Sequence, residues 1–247
     1  MSSNQTSNLI KEDLNFIEEL VGRSEEIIRN EMNFVKYYNQ ELKALERLEL
    51  KCFKNDKSLY KLILSVYASY EFTIKRMFEY ILEIIDREKI NILDLNVNIR
   101  ALFFKESVND LRIRVNQKDN DETKEEISKK LVKLYQTLEK EQIFRTKENM
   151  INTKSNLKVE ILEEIIYYFD IDKNILKSHS SYIKSLVHHR NNIAHGNHEF
   201  ADRLPTNIMP INEGNYEKLC ENIIELTNKL FEELKVYIIE KKYLKNC

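Results

Sequence analysis

All five histidines of this chain fall within residues 179–198, and four of them crowd the stretch His188, His189, His195 and His198. Histidine is the side chain that gains or loses a proton near neutral pH. Among these histidines stands Arg190, a fixed positive charge with five donors in one plane, followed by Asn191 and Asn192. That combination suits a site where a phosphate meets proton transfer. Between Lys173 and His195 there are four lysines or arginines and no acidic residue, although the chain carries 41 acids, so a locally positive stripe is expected.

At about 100° per residue, the helix implied by this segment has two faces. Tyr182, Ile183, Leu186, Val187, Ile193 and Ala194 share an apolar arc, whereas Lys184, His188, Asn191 and His195 share a polar one. Arg190 projects into the apolar arc, where a charge needs a partner. Glu71 is a second misfit, set near one edge of an apolar arc built from Tyr60, Leu64, Tyr67, Phe78 and Leu82. Two opposite charges stranded in this way could pair, fixing Arg190 with its other donors turned towards a phosphate; Glu71 could equally reach solvent or serve a tyrosine. On an ideal helix Arg190 and His195 lie about 140° apart. Their cooperation requires a distorted last turn beside Gly196 or a second copy of the helix.

The elements that must carry these residues are helices. Three glycines, two prolines and 32% charged residues leave little punctuation, and abundant Leu, Ile, Lys and Glu favour an all-α chain. The expected architecture is a single elongated helical bundle of four to five core helices with an N-terminal helical extension. Residues 1–8 read as a flexible tail, 9–56 as the extension with a break near Gly22 and Ser24, and 57–247 as the main domain. Within it, 59–85 reads as the central helix and 87–123 as a less regular insertion with one short helix. Thr123 followed by Glu126 fits a capping box opening the next helix. Further helices are expected at 157–169, 174–195 (the motif helix, closed by a Gly196 cap) and 216–239.

The net charge of −2 gives no global basic footprint, so any nucleic-acid site must be local. Cys52, Cys220 and Cys247 are too scattered for a disulfide frame or a zinc site. No apolar run approaches the length of a membrane span, and the polar N-terminus lacks a targeting core. A cytoplasmic, reducing environment is the expectation.

The run Arg190-Asn191-Asn192-Ile193-Ala194-His195 resembles the Arg-Asn-x-x-x-His signature of the HEPN superfamily, and in particular the toxin-like and defence-associated HEPN endoribonucleases of prokaryotes. The resemblance widens to YASYEFTIKRMFEYI around Glu71, to TKSNLKVEILEEII before the motif helix and to the long closing helix, over roughly residues 58–245. It implies a helical bundle that dimerises and cleaves RNA without a metal or other cofactor. Carried over residue by residue, Arg190 would bind the scissile phosphate, His195 would be the general base or acid for attack by the ribose 2′-hydroxyl, and Asn191 would orient the histidine or the phosphate. Glu71 completes the expected catalytic set, with Lys184, His188, His189, Asn192 and His198 as RNA-binding candidates. RNA, a homodimer mate and an antitoxin or defence-system partner protein are the implied partners, with no membrane and no DNA cleavage. Some related toxins carry, two positions after the motif histidine, a tyrosine that a partner nucleotidyltransferase modifies. Asn197 stands there in this chain, so that mode of control is not implied.

Three rival readings stay open from the residues themselves. A divalent ion could sit among His188, His195, His198 and Glu199, but Gly196 should end the helix between the last two histidines. A HEPN-like bundle could bind a nucleotide or a protein without doing chemistry. A plain helical scaffold would need only the mixed outer charges.

Overall fold

The computed structural model describes residues 3–47, 57–115, 121–139, 142–195, 208–210 and 213–245. Seven α-helices account for most of them: α1 Ser3–Arg47, α2 Lys57–Arg87, α3 Val97–Val115, α4 Asp121–Glu139, α5 Val159–Tyr168, α6 Ser180–Ala194 and α7 Glu213–Ile239. Short 3₁₀ turns at Ile92–Asp94 and Lys173–Leu176 precede α3 and α6. No β-ladder forms among the described residues, where β-structure is limited to the isolated bridges Asn91–Ile143 and Leu95–Leu244. The expected all-α bundle is therefore what the chain forms.

The N-terminal helix differs most from expectation. It is helical from Ser3, inside the stretch read as a tail, and runs without a break through Gly22 and Ser24. Its buried positions are Asp13, Ile17, Val21, Ser24, Ile28, Met32 and Val35. These steps of four, four and three repeat every eleven residues, close to the turn of a straight helix. One stripe therefore stays on a common side along the rod, against both α2 and α7. Ser24 caps nothing. It lies in the α1–α2 seam with its Oγ 2.9 Å from that of Ser69. A single isolated glycine lowers helix propensity by only about 1 kcal/mol, and burial along this stripe outweighs that. The last part of the expected extension, 48–56, lies outside the described residues.

α2 is the central helix, as its periodicity predicts, and packs on α1, α6 and α7. The described residues of the 87–123 stretch are more regular than expected. Asn96 starts α3 by accepting from the Ile99 backbone N–H at 2.9 Å, as a helix cap does. Its amide also donates to the Lys242 carbonyl at 2.6 Å, tying α3 to the end of α7. α4 begins at Asp121, two residues ahead of Thr123, so Thr123 is not its cap. α3 packs on α4 and α5. The core runs through all these contacts, with Ile74, Met77, Phe78, Ile81, Phe144, Phe169, Leu186 and Leu230 among its sealed side chains. No helix among the described residues is long and apolar enough to cross a membrane.

Candidate active site on helix α6

The motif helix starts at Ser180, after the Lys173–Leu176 turn, and not at 174. Asp172 caps that turn by accepting from the Asn174 N–H at 2.9 Å, and the chain re-enters a helix only after His179. Ile183, Leu186 and Val187 are buried as projected; Tyr182 and Ile193 are half-buried and Ala194 is exposed. On the polar arc Lys184 and His195 are exposed, while His188 and Asn191 are half-buried.

Arg190 is half-buried, and its partner is aromatic. The guanidinium carbon lies 4.9 Å from the centroid of the Tyr67 ring, a cation–π contact between α6 and α2. Nη1 donates to Asn191 Oδ1 at 3.0 Å. Asn191 therefore holds the arginine rather than the histidine. Glu71 and Arg190 form no ion pair among the described residues; Glu71 Oε1 is buried with no hydrogen-bond partner. Both charges still act on Tyr67, which burial pushes up to about 12, with the neighbouring carboxylate adding to the shift and the guanidinium opposing it.

Tyr67 is itself fixed. Its hydroxyl accepts from the Leu157 backbone N–H at 2.8 Å, and the Tyr70 hydroxyl donates to the Leu157 carbonyl at 3.5 Å. Two tyrosines on α2 thus hold both polar groups of one residue in the loop before α5. Lys154 and Ser155 in that loop occupy the left-handed region, with φ of 53° and 54°.

His195 is the C-cap of α6, with φ −91° and ψ 5°, and its N–H bonds to the Asn191 carbonyl at 3.0 Å. That i to i−4 bond keeps the last turn regular. Within one chain no hydrogen bond joins its ring to Arg190, Asn191 or Glu71 among the described residues, in keeping with the wide angle between positions 190 and 195 on a helix.

The RNA-binding candidates divide. Lys184 is open to solvent. His188 Nε2 lies 2.9 Å from the Asn192 side-chain nitrogen, one turn further along the same face. His189, expected at the surface, is only 7% exposed. It faces the loop that returns towards α7, with Nε2 2.7 Å from the Met209 carbonyl oxygen, and burial lowers its pKa below 6.5. Its position three residues after Leu186 turns it inward, so it is a packing residue. His198, Gly196, Asn197 and Glu199 lie outside the described residues. Among the described residues no group of three or more His, Cys, Asp or Glu side chains is arranged to hold a metal ion. Tyr67 is the residue that sequence reasoning missed: it reads as one more apolar-arc aromatic, four positions before Glu71.

The all-helical bundle is consistent with the HEPN superfamily that residues 190–195 resemble. A family model described as HEPN_MAE_28990-like HEPN matches residues 13–243, and the chain belongs to that family. The match takes in most of α1 and all of 87–123, which the motif resemblance alone left as additions. No curated protein and no solved structure gives a significant match.

Proposed function

We propose that this protein is a metal-independent endoribonuclease of the HEPN type, acting as a toxin or as an antiphage, abortive-infection effector in the cytoplasm. The observation that carries the reading is Arg190: a half-buried guanidinium that no carboxylate among the described residues pairs with, five positions before an exposed His195. A positive group of this kind stabilises the charge that develops on a phosphorane. His195 takes the proton of the ribose 2′-hydroxyl as its oxygen attacks phosphorus. The bond from phosphorus to the 5′-oxygen breaks, that oxygen receives a proton, and the products are a 2′,3′-cyclic phosphate and a 5′-hydroxyl end. DNA lacks the attacking group and is not cut.

Because Arg190 and His195 point to different sides of one helix, the composite site draws on two copies of α6 facing each other in a homodimer. RNA is the substrate, with Lys184 and the His188–Asn192 pair along the exposed stripe. An antitoxin or another defence-system protein is the class of partner that would hold such an activity off.

The decisive test is RNA cleavage in excess chelator by the wild type, Arg190→Ala and His195→Ala at matched folding. Cleavage by the wild type alone, leaving cyclic phosphate ends, is the expected result. Equal activity in all three removes the motif from the mechanism. The separation of Arg190 from His195 within one chain favours a second reading, a HEPN module that binds a nucleotide or protein without cleaving. Retention of RNA binding without cleavage by a dimeric wild type would select it.

A further inference from the structure

We infer that Tyr67 is the positioning residue of Arg190, holding the guanidinium over its ring so that its donors and its charge stay available to a phosphate. The inference rests on the reading of Arg190 as the phosphate-binding residue.

The geometry separates two ways of housing a half-buried arginine. A carboxylate takes donors from the edge of the guanidinium and neutralises its charge. An aromatic ring beneath the cation carries no net charge to neutralise it and accepts no strong hydrogen bond. In this structure the centroid of the Tyr67 ring lies 4.9 Å from the Arg190 guanidinium carbon, and among the described residues the guanidinium's one hydrogen bond is from Nη1 to the neutral Asn191 side chain. Glu71, one helical turn beyond Tyr67, has a buried oxygen without a hydrogen-bond partner, yet forms no ion pair with Arg190. The ring therefore occupies the role the sequence assigns to the carboxylate, and leaves the cation competent to bind an anion.

A platform must be rigid to position anything. Tyr67 is 3% exposed, its ring stands edge-on to Tyr70 at 6.3 Å between centroids, and its hydroxyl is tied to the Leu157 N–H at 2.8 Å. Arg190 is thereby set by α2 and by the loop ahead of α5, as well as by its own helix. Tyr67 touches no reacting atom in this scheme; it acts through Arg190.

The experiment is a double-mutant cycle in the full-length protein. Tyr67→Phe and Tyr67→Leu are made in the wild-type and Arg190→Ala backgrounds, after circular dichroism confirms matched folding. Affinity is read with a 2′-O-methyl single-stranded RNA of mixed sequence, which binds but has no free 2′-hydroxyl to react. Tyr67→Leu should weaken binding about tenfold, Tyr67→Phe should retain most of the affinity, and Tyr67→Leu should have no further effect once Arg190 is alanine. A loss that persists in the Arg190→Ala background, or an equal loss with phenylalanine, overturns the inference, because a general packing role predicts both.

A second readout separates this inference from the proposed function. The Arg190 Nε–Hε proton resonance, assigned by its disappearance in Arg190→Lys, should show an aromatic ring-current shift in the wild type and in Tyr67→Phe, and lose it in Tyr67→Leu. A wild type that binds no RNA but shows the shift refutes the phosphate role and leaves the platform. An unshifted wild-type resonance refutes the platform whatever the protein does to RNA.

Discussion

The ring of His189 on α6 holds the carbonyl oxygen of Met209 at 2.7 Å. Because the partner is a carbonyl, Nε2 must carry the proton in this contact. One turn earlier, Ser185 Oγ accepts from the Met209 N–H at 3.0 Å, so both polar groups of Met209 are satisfied by the motif helix. Buried backbone groups need such partners, and this clamp fixes where the chain rejoins α6 after the motif. The same device appears on α2, where Tyr67 and Tyr70 hold Leu157.

The clamp makes stability depend on pH. Burial lowers the pKa of His189, and burial followed by the Lys229 cation lowers that of His179. A histidine with a depressed folded pKa is neutral in the native state while the unfolded chain already binds a proton. The stability it contributes is fully present above the unfolded value of 6.5 and is lost as pH falls from there through the folded value. Urea midpoints should decline below about pH 6.5. Each histidine supplies at most about 1.4 kcal/mol per pH unit. His189→Gln, which keeps a donor but does not titrate, should flatten that decline; an unchanged slope would count against the assignment.

Gly22 should be improvable. A β-carbon added there meets nothing within 4 Å, and the residue lies on the exposed side of a continuous helix. Gly22→Ala should stabilise the protein by about 0.5–1 kcal/mol, raising Tm by about 2–4 °C. Differential scanning fluorimetry would read it, and a decrease would mean that α1 is broken there after all.

Asp13 is the buried charge that joins α1 to α2. It is 2% exposed, accepting from the Tyr80 hydroxyl at 2.9 Å and from Arg87 Nη2 at 2.5 Å. Asp13→Ala removes the shared acceptor of both donors, and because Arg87 is 44% exposed and can turn to water, the cost should be about 1–2 kcal/mol in denaturant unfolding. The pair Asp13→Leu with Arg87→Met should recover much of that loss, since an apolar replacement removes the need for pairing. A double variant as unstable as the single one would show that α1 is held by something else.

Salt dependence offers a separate check on the proposed RNA-binding stripe. Lys184 is exposed on α6, so Lys184→Gln should leave stability unchanged. On single-stranded RNA it should reduce the slope of log affinity against log salt by about 0.7, one phosphate contact. No change in slope would remove Lys184 from the interface.

Much of the bundle was legible because helical periodicity is local. The spacing of apolar residues in α2, α5 and α7 places those helices within a few residues of their ends, and the scarcity of Gly and Pro excludes a turn-rich fold. Helix ends were harder, for a local reason of another kind. α2, α5 and α7 are followed by Lys89, Asp170 and Lys241 at φ of 52°, 53° and 51°. Behind the last two, the Ile171 N–H reaches the Ile166 carbonyl and the Lys242 N–H the Tyr237 carbonyl. Those are left-handed caps without the glycine that would announce them. α3 was hidden in the same way, since Asn96 is an ordinary asparagine until Ile99 and Lys242 come within reach.

At the site, residue types and spacing were enough to single out Arg190, Asn191 and His195 and to show that Arg190 needs a partner. Which partner was a matter of packing. Tyr67 and Glu71 lie on the same side of α2, one turn apart, and a pattern of letters ranks the carboxylate first because opposite charges attract. Packing α6 across α2 brings the Tyr67 ring to the guanidinium and leaves Glu71 beside that tyrosine without an ion pair to Arg190, and the same packing turns His189 inward to Met209. Projection onto a helix states which way a residue faces; only the neighbouring elements determine what it meets there.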